Sequence, residues 1–239
     1  MSVHTPQLAP IVFLAFLGTA FLVMVTLSIA LLGLLRKSQP IASGGIAAAA
    51  VVTLVYGSVL VGLSLISCDR ELPQGAWKYF CEIDCHLANS VVRVQVMNLP
   101  HEEREPEPRN GKIVLVQLKT WFDPSTVSAH RGNGPLMPGR RKVWLIDSRG
   151  RRFAQSPKTD ALLARNGLRS RPLHTALRPG EWYDSYLVFE TPLDAHDLRL
   201  LVTSAEDFGS AIWGHENSPF HAKAYFGIPS PASARIANL

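Results

Sequence analysis

The sequence predicts a two-helix transmembrane hairpin followed by an all-β domain. Two apolar stretches, at about 11–35 and 44–66, each exceed the ~20 residues needed to cross a ~30 Å hydrocarbon layer. Arg36 and Lys37 are the only Lys, Arg, Asp or Glu residues among the first 67. Beyond them, short runs of alternating apolar and polar residues between turn signals are typical of β-strands.

Both apolar stretches favour membrane spans over the other structures that apolar runs can form. The core helix of a soluble protein is shorter and keeps a polar face. A secretory signal has basic residues before its apolar run and small residues at a cleavage site. No Lys or Arg precedes the first stretch, which is also longer than the apolar part of a signal. The segment 11–67 is therefore predicted to be a transmembrane hairpin.

The positions of Arg36 and Lys37 predict the topology of this hairpin. Basic residues in short loops stay on the cytoplasmic side of a membrane. The connecting loop 36–43 is therefore expected to be cytoplasmic. The N-terminal segment 1–10 and everything after the second helix are expected on the periplasmic side. This describes a multi-pass protein of the bacterial inner membrane.

Small residues form close-packing patterns in the second apolar stretch. Gly44 with Ala48, and Ser58 with Gly62, are small residues spaced four apart, which lets helices approach closely. Two interpretations stay open. These residues pack against the first helix of the hairpin, or they dock onto a helix of a partner membrane protein.

The charge of the remaining chain is too mild to favour nucleic-acid binding, so no nucleic-acid partner is expected. Arg36 and Lys37 account for 2 of the formal +5 charges, which leaves +3 for about 170 residues. Nucleic-acid-binding domains carry a far stronger basic patch. A stretch of this length suits one domain with its own apolar core.

The soluble part is predicted to comprise a membrane-proximal linker at 68–78, a β domain at 79–228 and a C-terminal tail at 229–239. A strand at 79–87 is followed by a change of phase near Asn89, which a β-bulge would explain. Further strands are expected at 111–122, 142–147, 151–155, 182–190, 198–203 and 222–228. A short helix at 159–166 is expected to end at Gly167. Short strands with frequent turns are typical of an immunoglobulin-type β-sandwich.

Four segments of the β domain resemble a known group of proteins. They are KYFCEIDCHLANSV at 78–91, TWFDPSTVS at 120–128, LRPGEWYDSYLVFETP at 177–192 and HENSPFHAKAYFGI at 215–228. Over 77–228 the chain resembles uncharacterised bacterial membrane-anchored or secreted immunoglobulin-like domains. The resemblance implies an extracytoplasmic interaction module without catalytic activity.

A second resemblance concerns Cys81, Cys85 and His86. Two cysteines four apart occur in the dinuclear copper site of cytochrome oxidase subunit II, which also has two N-terminal membrane helices and a β domain. Thiolate and imidazole ligands suit copper, so these three residues are the copper candidates. The chain departs from the pattern, because Asn89 and Val92 stand where that family has a His and a Met ligand.

The cysteines are also candidates for a disulfide. In a strand, Cys81 and Cys85 would lie roughly 13 Å apart, whereas a disulfide needs Cα atoms within about 7 Å. Cys68 is therefore the expected partner of Cys81 or Cys85 in an oxidising compartment.

Trp77 is predicted to anchor at the membrane interface. His215 and His221 are expected to be solvated or to cap turns.

No pattern in the chain predicts an enzyme. The sequence contains no phosphate-binding loop, no nucleophile elbow and no obvious acid–base pair. The expected function is a non-catalytic accessory subunit without a cofactor, which binds lipid and other membrane subunits. A respiratory or photosynthetic complex is the expected host, and the loops 123–140 and 205–220 are the expected docking surfaces. The alternatives are a copper-binding electron-transfer subunit and a free-standing ligand sensor of the cell envelope.

Overall fold

A computed structural model describes residues 9–80, 86–98, 111–128, 130–157, 159–165, 167–205 and 207–229. The chain divides into two compact units. The first contains the two long helices and the segment Asp207–Ala222, and the second contains the β-rich domain. The predicted N-terminal segment 1–10, apart from its last two residues, and the predicted tail, apart from residue 229, lie outside the described residues.

The two helices are α1, Ala9–Leu35, and α2, Gln39–Leu65. Both are long and apolar enough to cross a membrane, as the sequence predicts. The connection is much shorter than the expected loop 36–43, because α2 begins at Gln39. Pro40 lies in the first turn of α2, where its fixed φ and missing N–H are well tolerated. Lys37 adopts a left-handed backbone conformation, with φ of 53°, and reverses the chain.

The β-rich domain contains two sheets in the part of the chain that the structure describes. The strands are β1 Arg70–Leu72, β2 Lys78–Phe80, β3 Leu87–Asn98, β4 Gly111–Phe122, β5 Arg141–Ile146, β6 Arg152–Phe153, β7 Trp182–Pro192, β8 Arg199–Ser204 and β9 Ala224–Gly227. One sheet has the order β1-β9-β8-β5-β6, and the other has the order β2-β3-β4-β7. A short helix, α3, spans Thr159–Arg165.

The apolar core of this domain draws on both sheets. Inward-facing side chains alternate along β4 and β7, as a period of two requires. They meet the apolar side chains of β5, β8 and β9 in one buried cluster. Its fully or nearly fully buried members include Val114, Val116, Leu118, Leu145, Leu187, Phe189, Leu200, Val202 and Phe226.

A buried lysine connects the two sheets. Lys78 lies in β2, and its side chain is only 2% exposed. Its Nζ donates to the carbonyl oxygens of Val202 at 2.7 Å and Ala224 at 3.0 Å, in β8 and β9 of the other sheet. The ammonium group also lies over the ring of Phe80. Hydrogen bonds to buried carbonyls offset the cost of removing the charge from water.

The predicted strand over 79–87 is wrong. Phe80 and Leu87 are cross-strand partners in the antiparallel pair of β2 and β3, so the chain reverses direction between them. The bulge expected near Asn89 lies between Val91 and Arg93, and Val92 is 37% exposed instead of joining the apolar face. The 13 Å separation of Cys81 and Cys85 assumed an unbroken strand, so it no longer argues against a bond between them. Both cysteines lie outside the described residues.

Part of the expected linker 68–78 belongs to the sheets. Arg70–Leu72 forms β1, which pairs in parallel with β9, and Lys78 begins β2. The predicted strands 142–147 and 151–155 require a turn between them, and Gly150, with φ of 76°, lies in that turn between the paired strands β5 and β6. The short helix also agrees, and Gly167 follows it in a left-handed conformation.

We predict that Lys78→Met lowers the free energy of unfolding by about 1–3 kcal/mol. The change removes the donor to two buried carbonyls, which is destabilising. It also removes the cost of burying a charge, but that gain offsets only part of the loss. Chemical denaturation of the full chain in mild detergent would measure it. The exposed Lys142→Met, on β5, is the matched control and should change stability by less than about 0.5 kcal/mol. Equal effects of the two substitutions would contradict the bridging role of Lys78.

Candidate functional site

The segment Asp207–Ala222 is the candidate site, because it folds onto the helical hairpin within the first unit. It begins with a 3-10 turn, Asp207–Ala211, and continues through tight turns. Gly214 has φ of 68°. Gly209 is required for a different reason, since a Cβ there would collide with the ring of His215. The hydroxyl of Ser218 donates to the carbonyl of Ile212 at 2.6 Å and closes the segment on itself.

An aromatic cluster joins this segment to the C-terminal half of α2. The rings of Tyr56 and Trp213 stack with centroids 4.7 Å apart, and Phe16 of α1 lies 6.4 Å from Tyr56. The Tyr56 hydroxyl donates to the carbonyl of Ala211 at 2.6 Å. In return, the Trp213 indole N–H donates to the backbone carbonyl of Tyr56 at 3.2 Å. Stacking and reciprocal hydrogen bonds fix both rings.

Apolar and backbone contacts extend this packing to the ends of the helices. Ile212 and Val12 are buried against each other, with Phe13 and Trp213 beside them. The backbone N–H of Ala222 donates to the hydroxyl of Ser67 at 2.8 Å, just beyond α2. The hairpin therefore has one end covered by its own chain.

This packing changes the interpretation of the predicted docking loop 205–220. Ile212 and Trp213, which a partner would have contacted, pack on the hairpin of the same chain. His215 and His221 are buried and not solvated. The alternative expectation, that these residues cap turns, holds for His215, whose Nδ1 accepts a hydrogen bond from the backbone N–H of Asn217 at 3.0 Å. Phe220 remains 76% exposed, so the loop still presents one large apolar side chain.

The contact between α1 and α2 uses small residues other than the predicted pairs. A Cβ on Gly45 would lie 2.7 Å from the backbone nitrogen of Ala30, and one on Gly33 would lie 2.9 Å from the Cα of Ala42. These positions therefore require glycine for the helices to approach closely.

The predicted small-residue pairs face away from α1. Gly44 and Gly62 have nothing within 4 Å of an added Cβ, and Ala48 and Ser58 are exposed. The first interpretation, packing within the hairpin, is therefore wrong for these four residues, although Gly45 and Ala49 of the same small-residue stretch are buried.

Asp123 organises the region around the copper candidate His86. The Asp123 carboxylate accepts hydrogen bonds from the Tyr79 hydroxyl at 2.6 Å and from the backbone N–H of Ser125 at 2.8 Å. Its backbone N–H donates to the carbonyl of His86 at 2.8 Å. His86 Nδ1 lies 2.6 Å from the Thr126 hydroxyl, and the imidazole stacks on Phe122. The first residues of the predicted docking loop 123–140 are thus fixed against the start of β3.

These contacts shift two pKa values. Burial raises the pKa of Tyr79 to about 12, and the hydrogen bond to Asp123 and its negative charge add to the rise. Burial also opposes ionisation of Asp123, but hydrogen bonds from Ser125 and Tyr79 outweigh it and lower the pKa of that carboxyl. Asp123 is therefore ionised and Tyr79 neutral across physiological pH.

The other predicted site residues are distributed over both units. Cys68 is exposed, and its expected partners Cys81 and Cys85 lie outside the described residues, so the disulfide stays a prediction. The copper site also stays a prediction, because Cys81 and Cys85, two of its three candidate ligands, lie outside the described residues. Among the residues that the structure describes, no group of three or more His, Cys, Asp or Glu is placed to hold a metal ion.

Trp77 and the basic turn lie on exposed surfaces. Trp77 is 37% exposed and packs on Trp121, with ring centroids 5.1 Å apart, so part of the ring remains available as an interface anchor. Arg36 and Lys37 are exposed in the turn between the helices.

The sequence did not predict the contact between Tyr56 and Trp213. The available signal was Tyr56, the only aromatic residue in the second apolar stretch.

No protein-family model matches this chain, and no curated protein matches it. Three solved structures show a weak likeness. A conserved hypothetical protein from Bacillus anthracis has 15% identity and a TM-score of 0.35, over 49% of this chain and 82% of that one. A functionally unknown protein from Listeria monocytogenes has 14% identity and a TM-score of 0.37, over 58% and 74%. The yjhA protein from Bacillus subtilis has 11% identity and a TM-score of 0.37, over 66% and 98%. TM-scores of this size assign neither a fold nor a function.

We predict that the raised pKa of Tyr79, which burial and the Asp123 contact produce, makes stability fall between about pH 10 and pH 12. An unfolded tyrosine ionises near pH 10, whereas Tyr79 in the folded chain ionises near pH 12. The stabilising contribution is complete below pH 10 and is lost as the pH rises through the folded value. Denaturant unfolding from pH 8 to pH 12 should therefore show a shallower decline for Tyr79→Phe than for the wild type. Tyr186→Phe, which removes a tyrosine without a contact to Asp123, should keep the wild-type slope. Parallel curves for the wild type and Tyr79→Phe would contradict the prediction.

Proposed function

We propose that this chain is a non-catalytic accessory subunit of a larger complex in the bacterial inner membrane. The observation that carries the proposal is the hairpin surface. The helices α1 and α2 contain no charged residue, and most of their large apolar side chains are exposed, among them Leu14, Phe21, Leu32, Leu54 and Val55. A surface of this kind needs lipid or another apolar partner to cover it.

The aromatic cluster lies where a membrane interface is expected. At ~1.5 Å per residue, Phe16 lies about 29 Å along the helix from Leu35, and Tyr56 lies about 26 Å from Gln39. A ~30 Å hydrocarbon layer that starts at the Arg36–Lys37 turn therefore ends close to Phe16, Tyr56 and Trp213. Aromatic side chains are enriched at that depth. This spacing supports a membrane-spanning hairpin with Asp207–Ala222 at its outer surface.

The basic turn supports a cytoplasmic connection and a periplasmic β domain. Arg36 and Lys37 are the only charges in the hairpin and lie in its three-residue turn, so the positive-inside rule applies directly. The residues that follow α2 then leave the membrane on the periplasmic side.

The strand order supports an immunoglobulin-like sandwich for the β domain. In that fold the strands A, B and E form one sheet and the strands C, F and G form the other. The adjacent strands β3, β4 and β7 correspond to A, B and E, and β5, β8 and β9 correspond to C, F and G. Such a domain suits binding to other proteins on the periplasmic side.

An open face of α2 supports docking onto a partner helix. Gly44, Ala48, Ser58 and Gly62 recur at helical spacing on the side away from α1. Small residues let a neighbouring backbone approach closely in lipid. We propose that this face contacts a helix of the host complex.

We predict that the turn and the β domain are reached from opposite sides of the membrane. In spheroplasts, a membrane-impermeant maleimide should label Arg169→Cys strongly and Ser38→Cys only after the membrane is opened. The native cysteines give the same background in both variants. Labelling of Ser38→Cys in sealed spheroplasts would overturn the proposed orientation, and equal access to both residues would overturn the membrane-spanning hairpin.

We predict that the double variant Gly44→Leu, Gly62→Leu loses a stoichiometric membrane partner that the wild type retains in mild detergent. The leucines would block close approach of a helix, and the hairpin itself has room for them. Gly18→Leu, at an equally open glycine of α1, is the matched control and should retain the partner. A wild-type chain that purifies as a monomer without a stoichiometric partner would overturn the accessory-subunit proposal.

A further inference from the structure

A cleft of about 390 Å³ opens in the β domain and is lined by residues 140–141, 155, 159–160, 170–174 and 185–187. Its volume falls within the ~300–1,000 Å³ of typical small-ligand sites. Three arginines line it, Arg140, Arg141 and Arg171, together with His174 and a single carboxylate, Asp160. With His neutral, the three arginines and the one aspartate give the lining a net charge of +2.

Hydrogen bonds to β7 hold one wall of the cleft in place. The hydroxyl of Ser185 donates to the carbonyl of Arg171 at 2.6 Å, and the backbone N–H of Tyr186 donates to the hydroxyl of Ser170 at 2.8 Å. The Tyr183 hydroxyl donates to the carbonyl of Leu173 at 2.8 Å. The backbone that carries Arg171 is therefore fixed before any ligand arrives, which reduces the entropy cost of binding.

Two arginines of the cleft, Arg140 and Arg171, differ from Arg149 and Arg151, which are neutralised by ion pairs. Arg149 and Arg151 pair with Asp194 at 2.8 and 3.1 Å. Within the described ranges, Arg140 and Arg171 form no such ion pair, although Asp160 lines the same cleft.

The positive charges of Arg141 and Arg171 both affect the pKa of the buried Tyr183. Burial raises the pKa of Tyr183, and the positive charges of Arg141 and Arg171 act against that rise. Both arginines therefore lie close enough to affect the ionisation of Tyr183, whose hydroxyl supports one wall of the cleft.

We propose that this cleft binds a small anion that carries a phosphate group. Planar guanidinium groups recognise phosphate oxygens with paired hydrogen bonds. A phosphate monoester carries about −1.5 to −2 charges near neutral pH, which matches the +2 lining better than one carboxylate does. Pro172, Leu173 and Leu187 supply an apolar surface beside the charges, so the preferred ligand has an apolar or ring-shaped part next to its phosphate.

Titration of the full chain, in nanodiscs of zwitterionic lipid, with phenyl phosphate tests the proposal. Calorimetry should detect saturable binding, and Arg171→Gln and Arg140→Gln should each weaken it about tenfold or more, the loss expected for a charged hydrogen bond. Arg169→Gln is the matched control, because it removes the same charge from the same loop but does not line the cleft. It should change the affinity less than about twofold. Unchanged melting temperatures of the variants would show that they remain folded.

Further ligands distinguish recognition of the phosphate group from other causes of phenyl phosphate binding. Benzoate should bind at least about tenfold more weakly than phenyl phosphate, and inorganic phosphate should bind more weakly than phenyl phosphate because it lacks the apolar part. Competition by vesicles of phosphatidic acid, lost in Arg171→Gln, would assign the phosphate to a lipid headgroup, and its absence would assign it to a soluble ligand. No saturable binding of phenyl phosphate, equal binding of benzoate, or equal weakening by Arg169→Gln would each overturn the proposal.

Discussion

The lack of charged side chains in α1 and α2 is the constraint on which the rest of the molecule depends. Several of their hydroxyl side chains are satisfied inside the helices. The hydroxyls of Thr19, Thr53 and Ser64 donate to carbonyls one turn earlier, at 2.8, 2.9 and 2.8 Å. These groups therefore do not require water, and the helix surface is covered by apolar side chains that need lipid or protein around them.

The length of the connection between β8 and β9 follows from that constraint. The strands are neighbours in one sheet, and a much shorter loop would join them. The chain instead extends through Asp207–Ala222, which places Ile212 and Trp213 on the hairpin and returns to Ser67. The cost of ordering this long segment is offset by burial of aromatic surface and by two hydrogen bonds at Tyr56.

Features encoded locally could be predicted from the sequence, and features that depend on distant partners could not. The two apolar helices and the long strands β4 and β7 follow from composition and period. The turn between Phe80 and Leu87 was missed because the apolar alternation continues across it. Strand β1 was missed because its three residues have no pattern of their own and pair with β9, about 150 residues later.

The same distinction applies to the candidate sites. Tyr56 and Trp213 are far apart in the chain, so their contact has no sequence signal beyond one unusual tyrosine in an apolar helix. The cleft combines Arg140 and Arg141 with Arg171, from segments that the fold brings together. Histidine, cysteine and carboxylate spacing, which guided the copper and disulfide hypotheses, says nothing about arginines gathered in this way.

The arginines of the β domain are accommodated in different ways. Arg151 is neutralised by Asp147 at 2.6 Å and by Asp194. Arg131 and Arg199 stack on Phe122 and Tyr225, at 4.8 and 4.6 Å, which uses the flat face of the guanidinium group. Ion pairs and aromatic rings thus accommodate these arginines within the domain. Arg140 and Arg171 have neither arrangement in the described part of the chain, and they line one cleft with Arg141, which lies over the ring of Phe80 at 4.0 Å. Positive charges that line the same cleft repel one another, and an anion bound among them would offset that repulsion, which is the physical argument for an anionic ligand there.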